Sequence, residues 1–87
     1  MENIFTKETA STPEIFCNLK QGIIKLKGVS LPEDSESFYQ ELFDFLEINQ
    51  DELANKPINV SLMFLYLNTS SSAIISRLLQ ALEKIDN

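Results

Sequence analysis

From Pro13 to Leu19 apolar and polar residues alternate: Ile15, Cys17 and Leu19 fall on one side, and Glu14, Phe16 and Asn18 on the other. Lys20-Gln21-Gly22 interrupts the alternation, after which Ile24 and Leu26 alternate with Lys25 and Lys27. A period of two on both sides of a glycine-containing turn predicts a β-hairpin. Residues 28–32 break that pattern. Glu33-Asp34-Ser35-Glu36-Ser37 then opens a segment in which Phe38, Leu42, Phe45 and Leu46 recur at helical spacing, flanked by Tyr39 and Phe43. Ser37 followed by Gln40 fits a capping box, with Asp34 and Ser35 as alternative caps. A polar connection over residues 49–56 leads to Pro57 and the most apolar run of the chain. Ile58, Val60, Leu62, Phe64 and Tyr66 lie on one face, and the other begins with Asn59 and Ser61 but turns into Met63, Leu65 and Leu67. Ile74, Ile75, Leu78, Leu79, Leu82 and Ile85 mark a second amphipathic helix, with Ser76, Arg77, Gln80, Glu83 and Lys84 on its wet side.

The predicted order is β-β-α-β-α, an α/β domain in which a hairpin, a crossover helix and an apolar strand build one small sheet. The polar residues 1–12 read as a loose lead-in, and residues 1–87 as a single domain. One expectation follows from the strand at 58–67. Apolar on both faces, it belongs in the interior of a sheet covered on both sides, yet only the hairpin remains to supply neighbours. Either a C-terminal strand and helix are lacking, or another copy covers an exposed sheet edge as a homo-oligomer.

Length and composition narrow the function. Eighty-seven residues bury only ~60–65% of their unfolded surface, so the fold needs every apolar residue it has. The net charge is -6, from 7 basic and 13 acidic residues, which disfavours contact with phosphate backbones and so nucleic-acid binding. Histidine is absent and Cys17 is the single cysteine, which removes the commonest general base and metal ligand and any disulfide within the chain. No stretch has the apolar length of a signal peptide or membrane span, and the expected location is the cytoplasm, without membrane contact. The sequons at Asn59 and Asn68 are then coincidental, and Cys17 reads as a small buried hydrophobe.

Residues 33–52 hold eight acids and no base, so this stretch carries -8 and the rest of the chain +2. It reads as a solvated helix face or as a docking surface for a basic partner. It lacks the EF-hand pattern, and no nucleophile or base is spaced against its carboxylates; neither a metal or other cofactor nor an enzymatic activity is expected.

The junction after the apolar strand carries the candidate chemistry. Leu65-Tyr66-Leu67-Asn68-Thr69-Ser70-Ser71 runs from the C-terminal end of a strand into a helix start, where open α/β sheets place their functional sites. Asn, Thr and Ser are favoured caps, but one cap explains one or two such residues, and here five stand in a row. On chemistry alone the string is either plain capping or a hydroxyl that is modified or bound.

Pro32-Glu33-Asp34-Ser35-x-x-Phe38 ahead of a helix, then Leu65-Tyr66-Leu67-Asn68-Thr69-Ser70-Ser71, with Ser11-Thr12-Pro13 before the first strand, resembles the SiaC family of bacterial regulatory phosphoproteins. The likeness runs from about residue 11 to the end. It implies a fold similar to the anti-sigma-factor antagonists (STAS-like) and a phosphoacceptor threonine at Thr69. It also implies a dedicated kinase, a phosphatase, and a diguanylate cyclase activated by the unphosphorylated form, in cyclic di-GMP and biofilm signalling. Family members continue with a further strand and helix, so the resemblance agrees with the unmet neighbour of the apolar strand. Asn68, Ser70 and Ser71 are expected to shape the loop and the partner surface, with Arg77 as a further contact, while Tyr66 and Leu67 anchor the loop in the core. The competing reading is a structural or protein-interaction module whose Ser/Thr loop is only a helix cap.

Overall fold

The computed structural model describes residues 2–86, and the side chains of residues 2–85. Four strands form one sheet in the order β1 (Asn3–Thr6), β2 (Glu14–Asn18), β3 (Ile23–Ser30), β4 (Asn59–Leu67). Helices α1 (Ser35–Ile48) and α2 (Gln50–Ala54) connect β3 to β4, and α3 (Thr69–Asp86) follows β4. β1 to β3 are antiparallel neighbours, and β4 runs parallel to β3. The hairpin turns at Gly22, whose φ of 68° favours glycine; a Cβ there would stand 2.5 Å from the Pro57 carbonyl oxygen.

The period of two in β2 and β3 sets the two faces. Ile15 pairs with Leu26 and Cys17 with Ile24, and these four join Ile4 on the face covered by the helices. Tyr39, Leu42, Phe45 and Leu46 of α1, Leu53 of α2, and Ile74, Ile75, Leu78 and Ile85 of α3 complete the core. Burial pushes the Cys17 thiol up to about 12, with the charge of Glu41 adding to the shift, so it remains a neutral packing group. On the opposite face Phe5 and Met63 are exposed, and Lys25 pairs with Glu14 at 3.4 Å.

Four differences from the sequence reading have physical causes. The lead-in is loose only in part: residues 3–6 form β1, because Ile4 fits into the core opposite Cys17. β3 runs on through Gly28 to Ser30, since glycine accepts the φ of 120° found there. The polar connection contains α2, which a single buried leucine, Leu53, holds down. The largest difference lies toward the end of β4. The strand itself is an edge strand with an unmet neighbour, as expected above, and its apolar side chains are half-buried or exposed. Only its inner face, with Leu62, Phe64 and Leu67, packs against the core. Leu65 is the extra residue of a β-bulge between Gly28 and Val29 and is 82% exposed. Tyr66 likewise points out at 59% exposure, so it does not anchor the loop through the core.

Candidate functional site

Parallel pairing of β3 and β4 brings both strand ends to the same rim of the sheet. Leu67 pairs with Ser30, and the Asn68 N–H extends the ladder by donating to the Ser30 carbonyl at 3.0 Å. α1 starts just beyond the end of β3, and α3 immediately beyond that of β4. Two helix N-termini therefore share this rim, each with unpaired N–H groups and the positive end of a helix dipole. Ser11-Thr12-Pro13 belongs to the rim too: the Leu31 N–H donates to the Ser11 carbonyl at 2.8 Å, and Pro13 is buried.

Asn68 caps α3. Its side-chain oxygen accepts from the Ser71 N–H at 2.9 Å, and its carbonyl accepts from the Ser72 N–H at 3.0 Å. Capping thus falls to the one residue that precedes the hydroxyl run. Thr69 is exposed, and its Oγ1 makes no hydrogen bond among the described residues.

The two serines that follow are engaged. The Ser70 hydroxyl bonds to Ser35 Oγ of α1 at 2.7 Å and donates to Asn68 Oδ1 at 3.3 Å. Ser71, expected at the partner surface, is fully buried and belongs to the interior instead. Its Oγ accepts from Ser30 Oγ at 2.7 Å and donates to the Ser30 carbonyl at 3.3 Å. Ser30 Oγ also meets the Tyr39 hydroxyl at 2.6 Å. Because the single Ser30 hydroxyl proton goes to Ser71, Tyr39 is the donor in that bond. Burial raises the Tyr39 pKa, an effect opposed by its hydrogen-bonded neighbours Ser30 and Ser71. Among the described residues no buried side-chain polar atom lacks a partner.

Arg77 lies farther along α3, exposed but tied. Its guanidinium donates to Glu36 Oε1 at 3.0 Å and stands 5.3 Å from the centre of the Phe43 ring, so it clamps α3 to α1. A shallow cleft of about 520 Å³ opens between the two helix starts, with Ser70, Ala73 and Arg77 on one wall and Glu33, Asp34 and Glu36 on the other. Of the eight acids in residues 33–52, Glu36 and Glu52 meet a base among the described residues, at Arg77 and Lys56. The described residues hold no group of His, Cys, Asp and Glu able to bind a metal ion, and no helix among them is long and apolar enough to cross a membrane.

Ser30 and Tyr39 escaped the sequence reading. The signal was present in β3, where the inward series Ile24, Leu26, Gly28 ends on Ser30: a polar residue at a core position needs a buried partner.

Residues 6–87 match the family described as SiaC family regulatory phosphoprotein. An uncharacterized protein of Pseudomonas aeruginosa (strain UCBPP-PA14) is 31% identical over 84 residues, which make up 97% of this chain and 66% of that protein. The crystal structure of apo-SiaC from Pseudomonas aeruginosa matches with a TM-score of 0.89 at 30% identity, over 98% of this chain and 69% of that one. A chain in the crystal structure of the diguanylate cyclase SiaD in complex with its activator SiaC, also from Pseudomonas aeruginosa, matches with a TM-score of 0.85 at 30% identity, over 94% of this chain and 66% of that one. The chain spans about two thirds of the length of these relatives.

Proposed function

The chain belongs to the SiaC family of regulatory phosphoproteins, and from that membership we propose that reversible phosphorylation of Thr69 switches its binding to a diguanylate cyclase. The observation that carries this reading is the division of labour at the start of α3: Asn68 caps the helix, and the adjacent Thr69 hydroxyl stands exposed with no bond to give up among the described residues. The plain-cap alternative leaves that division unexplained.

A cognate kinase transfers the phosphoryl group. Thr69 Oγ1 forms the new bond to the γ-phosphorus of ATP, the bond to the β-phosphate oxygen breaks, ADP leaves, and the hydroxyl proton passes to a base of the kinase or to water. A phosphatase reverses the change by hydrolysis. Phosphothreonine brings about -1.5 to -2 charges at neutral pH. The first turn of α3 holds no acid, and the helix dipole favours the added charge there, so the domain keeps its fold. A bound partner has no such compensation. With an acidic group about 6 Å away, each unit of charge costs on the order of 2–3 kcal/mol at an effective dielectric of ~20, and ~1.4 kcal/mol is already tenfold in affinity. Asn68 and Ser70 flank Thr69, and with Arg77 two turns along α3 they form the partner surface. The chain performs no chemistry of its own in this role; it regulates cyclic di-GMP output and biofilm behaviour through the cyclase. Pull-down from the lysate of its own organism tests the reading: Thr69→Ala retains a diguanylate cyclase and Thr69→Asp loses it. Equal recovery by both variants contradicts it.

The open edge of β4 supports a second reading, self-association. Residues 57–76 contain no charged side chain, so two copies of this acidic chain meet along β4 without like-charge repulsion. The other edge, β1, is only four residues long and is flanked by Glu2, Lys7 and Glu8, the usual guards against edge pairing. Beside β4 lies a groove formed by Ile58, Val60, Leu79 and Leu82, with Glu83 at its wall. Sedimentation equilibrium should give a dimer of the 87-residue chain that Met63→Lys dissociates. A monomer at every concentration removes this reading and leaves the edge to another occupant.

A further inference from the structure

We propose that Ser35 is the positioning residue that withholds the Ser70 hydroxyl from phosphoacceptance, while the Ser30–Tyr39–Ser71 cluster keeps Ser71 inside. The proposal rests on the reading of Thr69 as the acceptor and adds what keeps its next two neighbours from competing; Ser72, exposed one turn on, lies outside it. Thr69, Ser70 and Ser71 are consecutive hydroxyls of similar chemistry, and the chain separates them by hydrogen bonding and burial.

To accept a phosphoryl group, a hydroxyl oxygen must present a lone pair to the γ-phosphorus, release its proton, and be reached by the kinase as ADP departs. Thr69 Oγ1 meets these conditions: it is exposed and unbonded among the described residues. Ser71 fails on access, since it is fully buried with Oγ both accepting from Ser30 and donating to the Ser30 carbonyl. Ser70 is the discriminating case. Its residue is exposed, yet its hydroxyl is tied at 2.7 Å to Ser35, which is itself 5% exposed, and at 3.3 Å to the capping oxygen of Asn68. Ser35 lies in the first turn of α1, whose start is fixed by its own cap: Asp34 accepts from the Ser37 N–H at 3.1 Å. The tether therefore runs to a rigid element 35 residues away in sequence, not to a mobile neighbour.

Losing a neutral hydrogen bond of ordinary strength raises the unbound fraction of the Ser70 hydroxyl about fivefold. The discriminating comparison uses extract of the encoding organism with ATP, and reads phosphate position by tandem mass spectrometry. Thr69→Ala should take little phosphate on Ser70, and the Ser35→Ala/Thr69→Ala double variant should take at least about fivefold more there. Equal phosphate on Ser70 in both, or none in the double variant, overturns the proposal. A second measurement needs neither kinase nor mutation. Because the single Ser70 proton goes to Asn68, Ser35 is the donor to Ser70 Oγ. In the NMR spectrum of the unmodified protein the Ser35 hydroxyl proton should exchange with water more slowly than that of Thr69, and equal exchange rates overturn the tether. Failure of the Thr69 reading looks different: the wild-type chain then carries no phosphate on Thr69, while the exchange contrast at Ser35 persists.

Discussion

The two helix starts on the rim of the sheet solve the same problem in opposite ways. α1 begins under Asp34, a charged cap, with Glu33 before it and Glu36 in its first turn. α3 begins under the neutral Asn68, with a threonine and three serines and no acid in its first turn. Both ends carry the same partial positive charge from the helix dipole. At α1 that charge is already met by fixed carboxylates; at α3 it is left unanswered. The contrast teaches where negative charge can be added without harm to the fold: the neutral end has room for it and the acidic end does not.

The largest effect expected from this contrast concerns binding. Phosphothreonine at position 69 should weaken the complex with the cyclase by about 30-fold or more, corresponding to about 2 kcal/mol, whereas Ser37→Glu at the start of α1 should leave it within about threefold; titration calorimetry on both forms checks this. Next in size is the cluster beneath the two ends. Ser30→Ala strands the Tyr39 hydroxyl and removes the bond that Ser71 Oγ accepts, leaving Ser71 only its donation to the backbone carbonyl, and should cost about 1–3 kcal/mol in urea unfolding, while Tyr39→Phe, which leaves Ser30 bonded to Ser71, should cost about 1 kcal/mol or less. The caps come third: Asp34→Ala and Asn68→Ala should each lose about 0.5–2 kcal/mol. Asp34→Asn should recover most of the loss at α1, because the capping oxygen returns and only the charge is missing. The smallest effect is the most direct on the contrast. Thr69→Glu should stabilise the isolated chain by about 0.3–1 kcal/mol, and Ser37→Glu, placed among Glu33, Asp34 and Glu36, should give no gain or a slight loss. Thermal melts at low ionic strength separate the two, and equal shifts would dissolve the distinction between the ends.

Much of this was legible in the sequence wherever a local period set the outcome. The hairpin around Gly22, the amphipathic helices and the strand before Asn68 all follow from periods of two or 3.6; the string of small polar residues marks the strand-to-helix junction, but Thr69 within it comes from the resemblance to the SiaC family. What escaped depends on contacts between distant parts of the chain. β1 exists because Ile4 meets Cys17, which no pattern in four residues announces. The two apolar faces of β4 announce a missing neighbour, but not that Leu65 and Tyr66 stand outside the core at that open edge. Ser71 reads like its neighbours, and only the helical turn, which aims it at Ser30 while Thr69 faces solvent, tells them apart.

The proposed switch depends on the Thr69 hydroxyl as the place where phosphate is written. Tandem mass spectrometry of the protein isolated from its own cells, with the fragment ions between Asn68 and Ser72 resolved, reads this directly. The predicted result is phosphate on Thr69 and on no neighbouring serine; phosphate on Ser70, Ser71 or Ser72 instead, or a chain that is never phosphorylated, contradicts it.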